Sequence, residues 1–122
     1  MDKQELQERT RQFALRIIRL CAALPKQTAA QIIGKQVLRC GTSVGANYRA
    51  ACLAKSRPDF ANKIKICEEE ADEVIYWLGL LIDAEIMPES RMAPLLDEAR
   101  QISAIMCAAA KSTNRGGNKN ST

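Results

Sequence analysis

The sequence predicts an all-α protein: an antiparallel up-down-up-down four-helix bundle with a disordered basic C-terminal tail. Three observations lead there. Apolar residues recur at helical spacing in four segments, the links between them are short and punctuated by proline, and no segment alternates with a strand's period of two. A chain of 122 residues supports a single core, placed at 1–110, with a tail at 111–122.

The first helix is expected over about 3–23, where Leu6, Phe13, Ile17, Leu20, Cys21 and Leu24 share a face and Pro25 ends the run. The second, about 28–55, carries Ile33, Val37, Cys40, Val44, Tyr48 and Ala51 on one stripe. Ser56, three residues before Asp59, is placed as the cap of the third, about 57–85, which turns Phe60, Ile64, Cys67, Ala71, Val74, Leu78 and Ile82 inward. Pro88 is assigned to the first turn of a fourth helix, about 89–111, with Leu95, Ala99, Ile102, Met106 and Ala109 on its face. The last stretch, KSTNRGGNKNST, holds no apolar residue and is expected to be disordered.

The segment CGTSVGANYRA looks at first like a phosphate-cradling loop, but it lacks Gly-Lys-Ser/Thr and no strand precedes it. At roughly 100° per residue, Gly34, Gly41, Gly45 and Cys52 fall on one narrow stripe beside the main apolar face. Each glycine costs a helix about 1 kcal/mol relative to alanine. A stripe of them predicts close approach of another helix. Asn47 lies on the apolar side and needs a hydrogen-bonding partner, while Arg39 and Ser43 occupy the neighbouring flank with Ile32 and Ala50.

Charge is unevenly distributed. Residues 1–57 hold eleven Lys/Arg against three Asp/Glu, residues 58–110 hold four against eleven, and no acid occurs from Thr10 to Pro58. The basic half either pairs with the acidic half, within the fold or across an oligomer, or faces a nucleic acid. On the third helix Glu70 and Glu73 project with Ile66, Trp77 and Leu80, away from the core stripe. Such a mixture fits an assembly interface, where Arg39 and Arg49 are the first candidates to meet the carboxylates. The alternative is an ordinary solvated face with Trp77 half-covered.

The five cysteines form no C-x-x-C pair and histidine is absent, so neither a metal site nor a cofactor is expected. Reduced, buried cysteines, the absence of an apolar run of membrane-spanning length and a polar start together predict a cytoplasmic protein. General acid–base catalysis would have to rest on Glu70 and Glu73, and nucleophilic catalysis on Cys40, whose stripe is the core. The chain is therefore read as no enzyme.

The runs R-x-x-x-S-x-G-A-N (Arg39, Ser43, Gly45, Ala46, Asn47), the pair Asp59-Phe60, and E-A-x-E-x-x-Y-W-L (Glu70, Ala71, Glu73, Tyr76, Trp77, Leu78) carry a family resemblance. The chain resembles, over roughly 6–110, the bacterial four-helix-bundle proteins of ribosomal RNA intervening sequences. It is more distantly similar to the accessory variability protein of diversity-generating retroelements. The resemblance implies a left-handed antiparallel bundle and a ring-like homopentamer. The distant relative associates with a reverse transcriptase and nucleic acid; the family's name records a gene location. Where many relatives continue after Asn47 with Ile and an acid, this chain has Tyr48-Arg49-Ala50.

Two functions remain. In the first, a homo-oligomeric accessory protein contacts RNA or DNA backbone through Arg9, Arg16, Arg19, Lys35, Arg49, Lys55 and Arg57, repeated in every subunit. With aromatics at 4%, such binding is expected to be weakly sequence-specific. In the second, the protein is an adaptor or scaffold whose partner is another protein. Arg39, Ser43, Asn47, Glu70, Glu73 and Trp77 are the expected structural and interface polar set.

Overall fold

The computed structural model describes the backbone of residues 1–121 and the side chains of residues 1–113. Four helices follow one another: α1 (Lys3–Ala23), α2 (Thr28–Cys52), α3 (Arg57–Asp83) and α4 (Glu89–Ser121). Each end has a local cause. Asp2 accepts the Glu5 amide at 2.8 Å to cap α1, and Ser56 accepts the Asp59 amide at 3.1 Å to cap α3. α3 closes through a Schellman turn: the amides of Ile86 and Glu85 reach back to the carbonyls of Leu81 and Ile82, with Glu85 at φ 58°.

Contacts between neighbours run in opposite directions along the chain. Gly34, Gly41 and Gly45 of α2 face Leu24, Ile17 and Thr10 of α1. Arg39 meets Glu73 while the Cys67 thiol lies against the Val44 carbonyl, so α2 and α3 are antiparallel as well. Arg9 reaches Glu98 to join α1 to α4, the least extensive of the helix contacts. The result is the expected up-down-up-down bundle.

The core is built from Phe13, Ile17, Val37, Cys40, Val44, Ile64, Cys67, Val74, Leu78, Leu81, Ile102 and Met106. Leu20, Cys21, Ile33, Phe60, Ile82 and Ala109 share the predicted stripes but are only half-buried. Thr10 is fully buried, a position that periodicity did not select because threonine is polar. Its hydroxyl donates back to the Leu6 and Gln7 carbonyls, both at 3.0 Å, and among the described residues no buried side-chain polar atom lacks a partner.

The ends of α2, α3 and α4 and the place of Pro88 differ from the sequence expectation, α3 closing at Asp83 and not near residue 85. α2 stops at Cys52, which puts Lys55 in the link to α3. Pro88 lies one residue before α4, its carbonyl accepting from Arg91 and Met92, and a second proline, Pro94, is accommodated inside the helix. α4 is continuous past Lys111, and the Thr113 hydroxyl still donates to the Ala109 carbonyl at 2.9 Å. Beyond Thr113 the expected tail lies outside the residues whose side chains are described.

Candidate functional site

One polar cluster lies on the outer flank of α2 and α3. Arg39 Nη1 stands 3.2 Å from Glu70 Oε2, Arg39 Nη2 donates to Glu73, and Trp77 Nε1 donates to the same Glu73 oxygen at 3.0 Å. Gln36 accepts from the guanidinium on its far side, at 3.1 and 3.3 Å. Helical spacing makes the cluster possible: Glu70 and Glu73 stand one turn apart, and Trp77 one turn further on. The two carboxylates thus find a cation inside their own chain. Arg39 remains 50% exposed and Glu70 20%, so the cluster sits at the edge of solvent.

The Cys40 thiol is the buried neighbour of this cluster. Burial, with a further contribution from Glu73 and Glu70 that outweighs Arg39, pushes its pKa up to about 12. Cys40, Glu70 and Glu73 offer ligand atoms within 4.8 Å of one another, a grouping that by distance alone could hold a metal ion. The chemistry of the set fits poorly, because the guanidinium already occupies both carboxylates and the thiol strongly resists becoming the thiolate a metal requires. The Cys67 thiol is likewise pushed up to about 12 by burial, and the raised Cys21 thiol has the same cause.

Ser43, expected on this flank, and Asn47, expected on the apolar side and here half-buried, bond to each other. Asn47 Nδ2 donates to the Ser43 carbonyl at 2.9 Å and to its hydroxyl at 2.8 Å. The amide is satisfied within one turn of its own helix, so it fixes a side chain on α2 and joins no second element.

The predicted nucleic-acid contacts occupy several places. Arg9 lies between α1 and α4, forking onto Glu98 at 2.9 and 2.7 Å and onto Gln101 at 2.8 Å. That hydrogen bond raises the Arg9 pKa, and the arginine's charge is spent inside the fold. Arg16 and Arg19 line a groove of about 260 Å³ between α1 and α4, with Arg91 across from them and Leu20, Met92, Pro94 and Leu95 as its apolar part. Arg49 lies on the opposite side of α1, in a groove of about 400 Å³ between α1 and α2 with Arg11, Glu8, Gln4 and Gln7, and with Ala14, Gly45 and Ala46 as its apolar part. Arg49 thus stands against α1, and the Glu70–Glu73 pair that it was a candidate to meet is taken by Arg39. Lys35 borders a smaller hollow beside Gly34 and Leu38, and Lys55 and Arg57 are exposed around the α2–α3 link.

Arg91 and Glu98 were missed by sequence reasoning because both lie in the acidic half, where neither stands out by composition. Arg91 did leave one signal: a cation in the first turn of a helix opposes the helix dipole.

The comparisons with known proteins agree with this architecture. The structure of a protein of unknown function from the S23 ribosomal protein family of Bacteroides thetaiotaomicron superposes with a TM-score of 0.84. It is 35% identical, and the match covers 91% of this chain and 99% of that one. No curated protein matches the chain. The family model described as 23S rRNA-intervening sequence protein matches residues 2–108. With the four-helix bundle and the Arg39–Glu70–Glu73–Trp77 cluster in place, the chain belongs to the 23S rRNA-intervening sequence protein family.

Proposed function

We propose that this chain is a cytoplasmic, non-enzymatic protein that assembles into a homo-oligomeric ring, a pentamer, and binds nucleic acid through backbone-directed contacts from its basic half. The observation that carries this reading is the fate of the cations. Of the seven candidates, only Arg9 has a carboxylate within salt-bridge distance; Arg16, Arg19, Lys35, Arg49, Lys55 and Arg57 have none among the described residues. Pairing within one chain therefore leaves most of the basic half available to an external anion. Repetition around a ring would add weak phosphate contacts together.

Assembly is supported by a partly apolar flank beside the Arg39 cluster. Tyr76 and Ile32 are 61% and 57% exposed, and half-buried Trp77 packs edge-on against Tyr76 at 5.1 Å between ring centroids. The five free cysteines suit a reducing compartment, and no described helix is long and apolar enough to cross a membrane.

Titration of a labelled generic RNA or DNA at rising salt tests the reading. Affinity should fall steeply, with a log–log slope of about 0.7–0.9 per neutralised phosphate. Absence of binding at low ionic strength would remove it and leave a protein–protein adaptor, the second reading, which exposed Tyr76 beside half-buried Trp77 favours.

A further inference from the structure

The groove between α1 and α4 concentrates charge that the fold does not use. Arg16 and Arg19 come from one side and Arg91 from the other, and none has a carboxylate within salt-bridge distance among the described residues. Each choice works against local stability. Like charges one helical turn apart, as at Arg16 and Arg19, repel. Arg91 sits in the first turn of α4, where the helix dipole disfavours a cation. The residues lining the groove include no carboxylate. Glu89 in the same turn offsets the dipole but pairs with none of the three arginines, and charges gathered without an ion pair mark a place where an outside anion supplies the partner.

The rest of the groove narrows the choice of anion. Its apolar part includes half-buried Leu20 and the exposed ring of Pro94, a surface fit for the face of a base and of no use to a bare phosphate. Its volume, about 260 Å³, is smaller than the ~300–1,000 Å³ of pockets that enclose a free small molecule. An open groove of that size suits one repeating unit of a polymer.

We propose that the Arg16–Arg19–Arg91 groove binds one nucleotide of a single-stranded nucleic acid, with its phosphate on the arginines and its base against Leu20 and Pro94. This inference rests on the nucleic-acid reading above and names its substrate class: a strand whose bases are free of a duplex.

Fluorescence anisotropy on the full chain tests it, with a short labelled RNA strand, its duplex, and an abasic strand of equal length as probes. The single strand should bind more tightly than the duplex or the abasic strand at the same salt. Arg91→Ala and Arg19→Ala, both at exposed positions and in no ion pair among the described residues, should each weaken strand binding several-fold and lower the salt slope by about 0.7. Circular dichroism controls for their folding. Unchanged binding by both variants, with loss in Arg49→Ala, overturns the groove and leaves nucleic-acid binding elsewhere on the protein. Equal binding of duplex or abasic strand overturns the base contact and with it the proposal. Competition by poly-glutamate as strong as by the strand overturns it in favour of an acidic protein partner. Failure of every probe to bind at low salt removes the groove and the broader reading together.

Discussion

Replacing Gly41 by alanine is the most direct test of how α1 and α2 pack. A Cβ at this position would lie 2.7, 2.8 and 3.0 Å from Cγ1, Cγ2 and Cδ1 of Ile17, where carbon atoms at rest prefer about 3.5–4.0 Å. Ile17 is fully buried and β-branched, so it has essentially one helical rotamer and nowhere to turn. The close approach continues along the seam, where a Cβ at Gly45 would lie 3.3 Å from the Thr10 carbonyl oxygen. Overpacking of this kind costs about 1–3 kcal/mol. Helix propensity returns about 1 kcal/mol. The net expectation is a loss of roughly 0–2 kcal/mol. Gly34→Ala provides the internal control. Its Cβ would meet only Leu24 Cδ1, at 2.8 Å, the far end of a flexible side chain, so the propensity gain should dominate. Urea unfolding followed by circular dichroism at one protein concentration should place Gly41→Ala below Gly34→Ala by roughly 1–3 kcal/mol, about 1 M in midpoint for a typical m value. Ile17→Ala should lose part of its own cost when combined with Gly41→Ala, because the new methyl fills the space it vacates. Equal stabilisation by Gly34→Ala and Gly41→Ala would refute the close-approach account of the glycine stripe.

Glu85→Gly should stabilise the protein by roughly 0.5–1 kcal/mol in the same assay, since the Schellman turn holds this residue at φ 58° and glycine carries no Cβ penalty there. Arg9→Met should cost about 1–2 kcal/mol, reduced from a buried-pair value because Arg9 is 26% exposed, and should loosen α1 from α4 as read by amide exchange. Thiol labelling of the native protein should modify the half-exposed Cys21, Cys52 and Cys107 and spare Cys40 and Cys67 until unfolding. Because those two thiols have raised folded pKa values, their neutral forms favour the fold. Stability should therefore hold below the unfolded pKa near 9.0 and decline as pH rises towards about 12, in urea midpoints taken across that range.

Fold class and helix order were written into the pattern of Leu, Ile, Val and Cys, because burying a helix's apolar stripe at 3.6-residue spacing leaves few ways to arrange four of them. The same periodicity put Gly34, Gly41 and Gly45 in phase, so a close-packed seam was legible in the sequence, while its partner, α1, was settled by the packing. Ends were less so: Cys52, Pro88 and Glu85 depend on which carbonyl a given amide reaches, a matter of a single turn. Thr10 was invisible to a hydrophobic pattern, since its burial is permitted only by a hydroxyl bonded back to its own helix.

For the site, the sequence by itself determined the inventory: a basic half free of acids, Glu70, Glu73 and Trp77 on one flank, and Arg39 as a candidate partner. Only the tertiary structure decided the pairing. It gave both carboxylates to Arg39, set Arg49 in the groove between α1 and α2, neutralised Arg9 with Glu98, and brought Arg91 from the acidic half to stand opposite Arg16 and Arg19. The physical reason is range. Periodicity fixes which face of a helix a charge occupies, but an ion pair forms within 4 Å, and which helix stands that close is settled by the packing of the core.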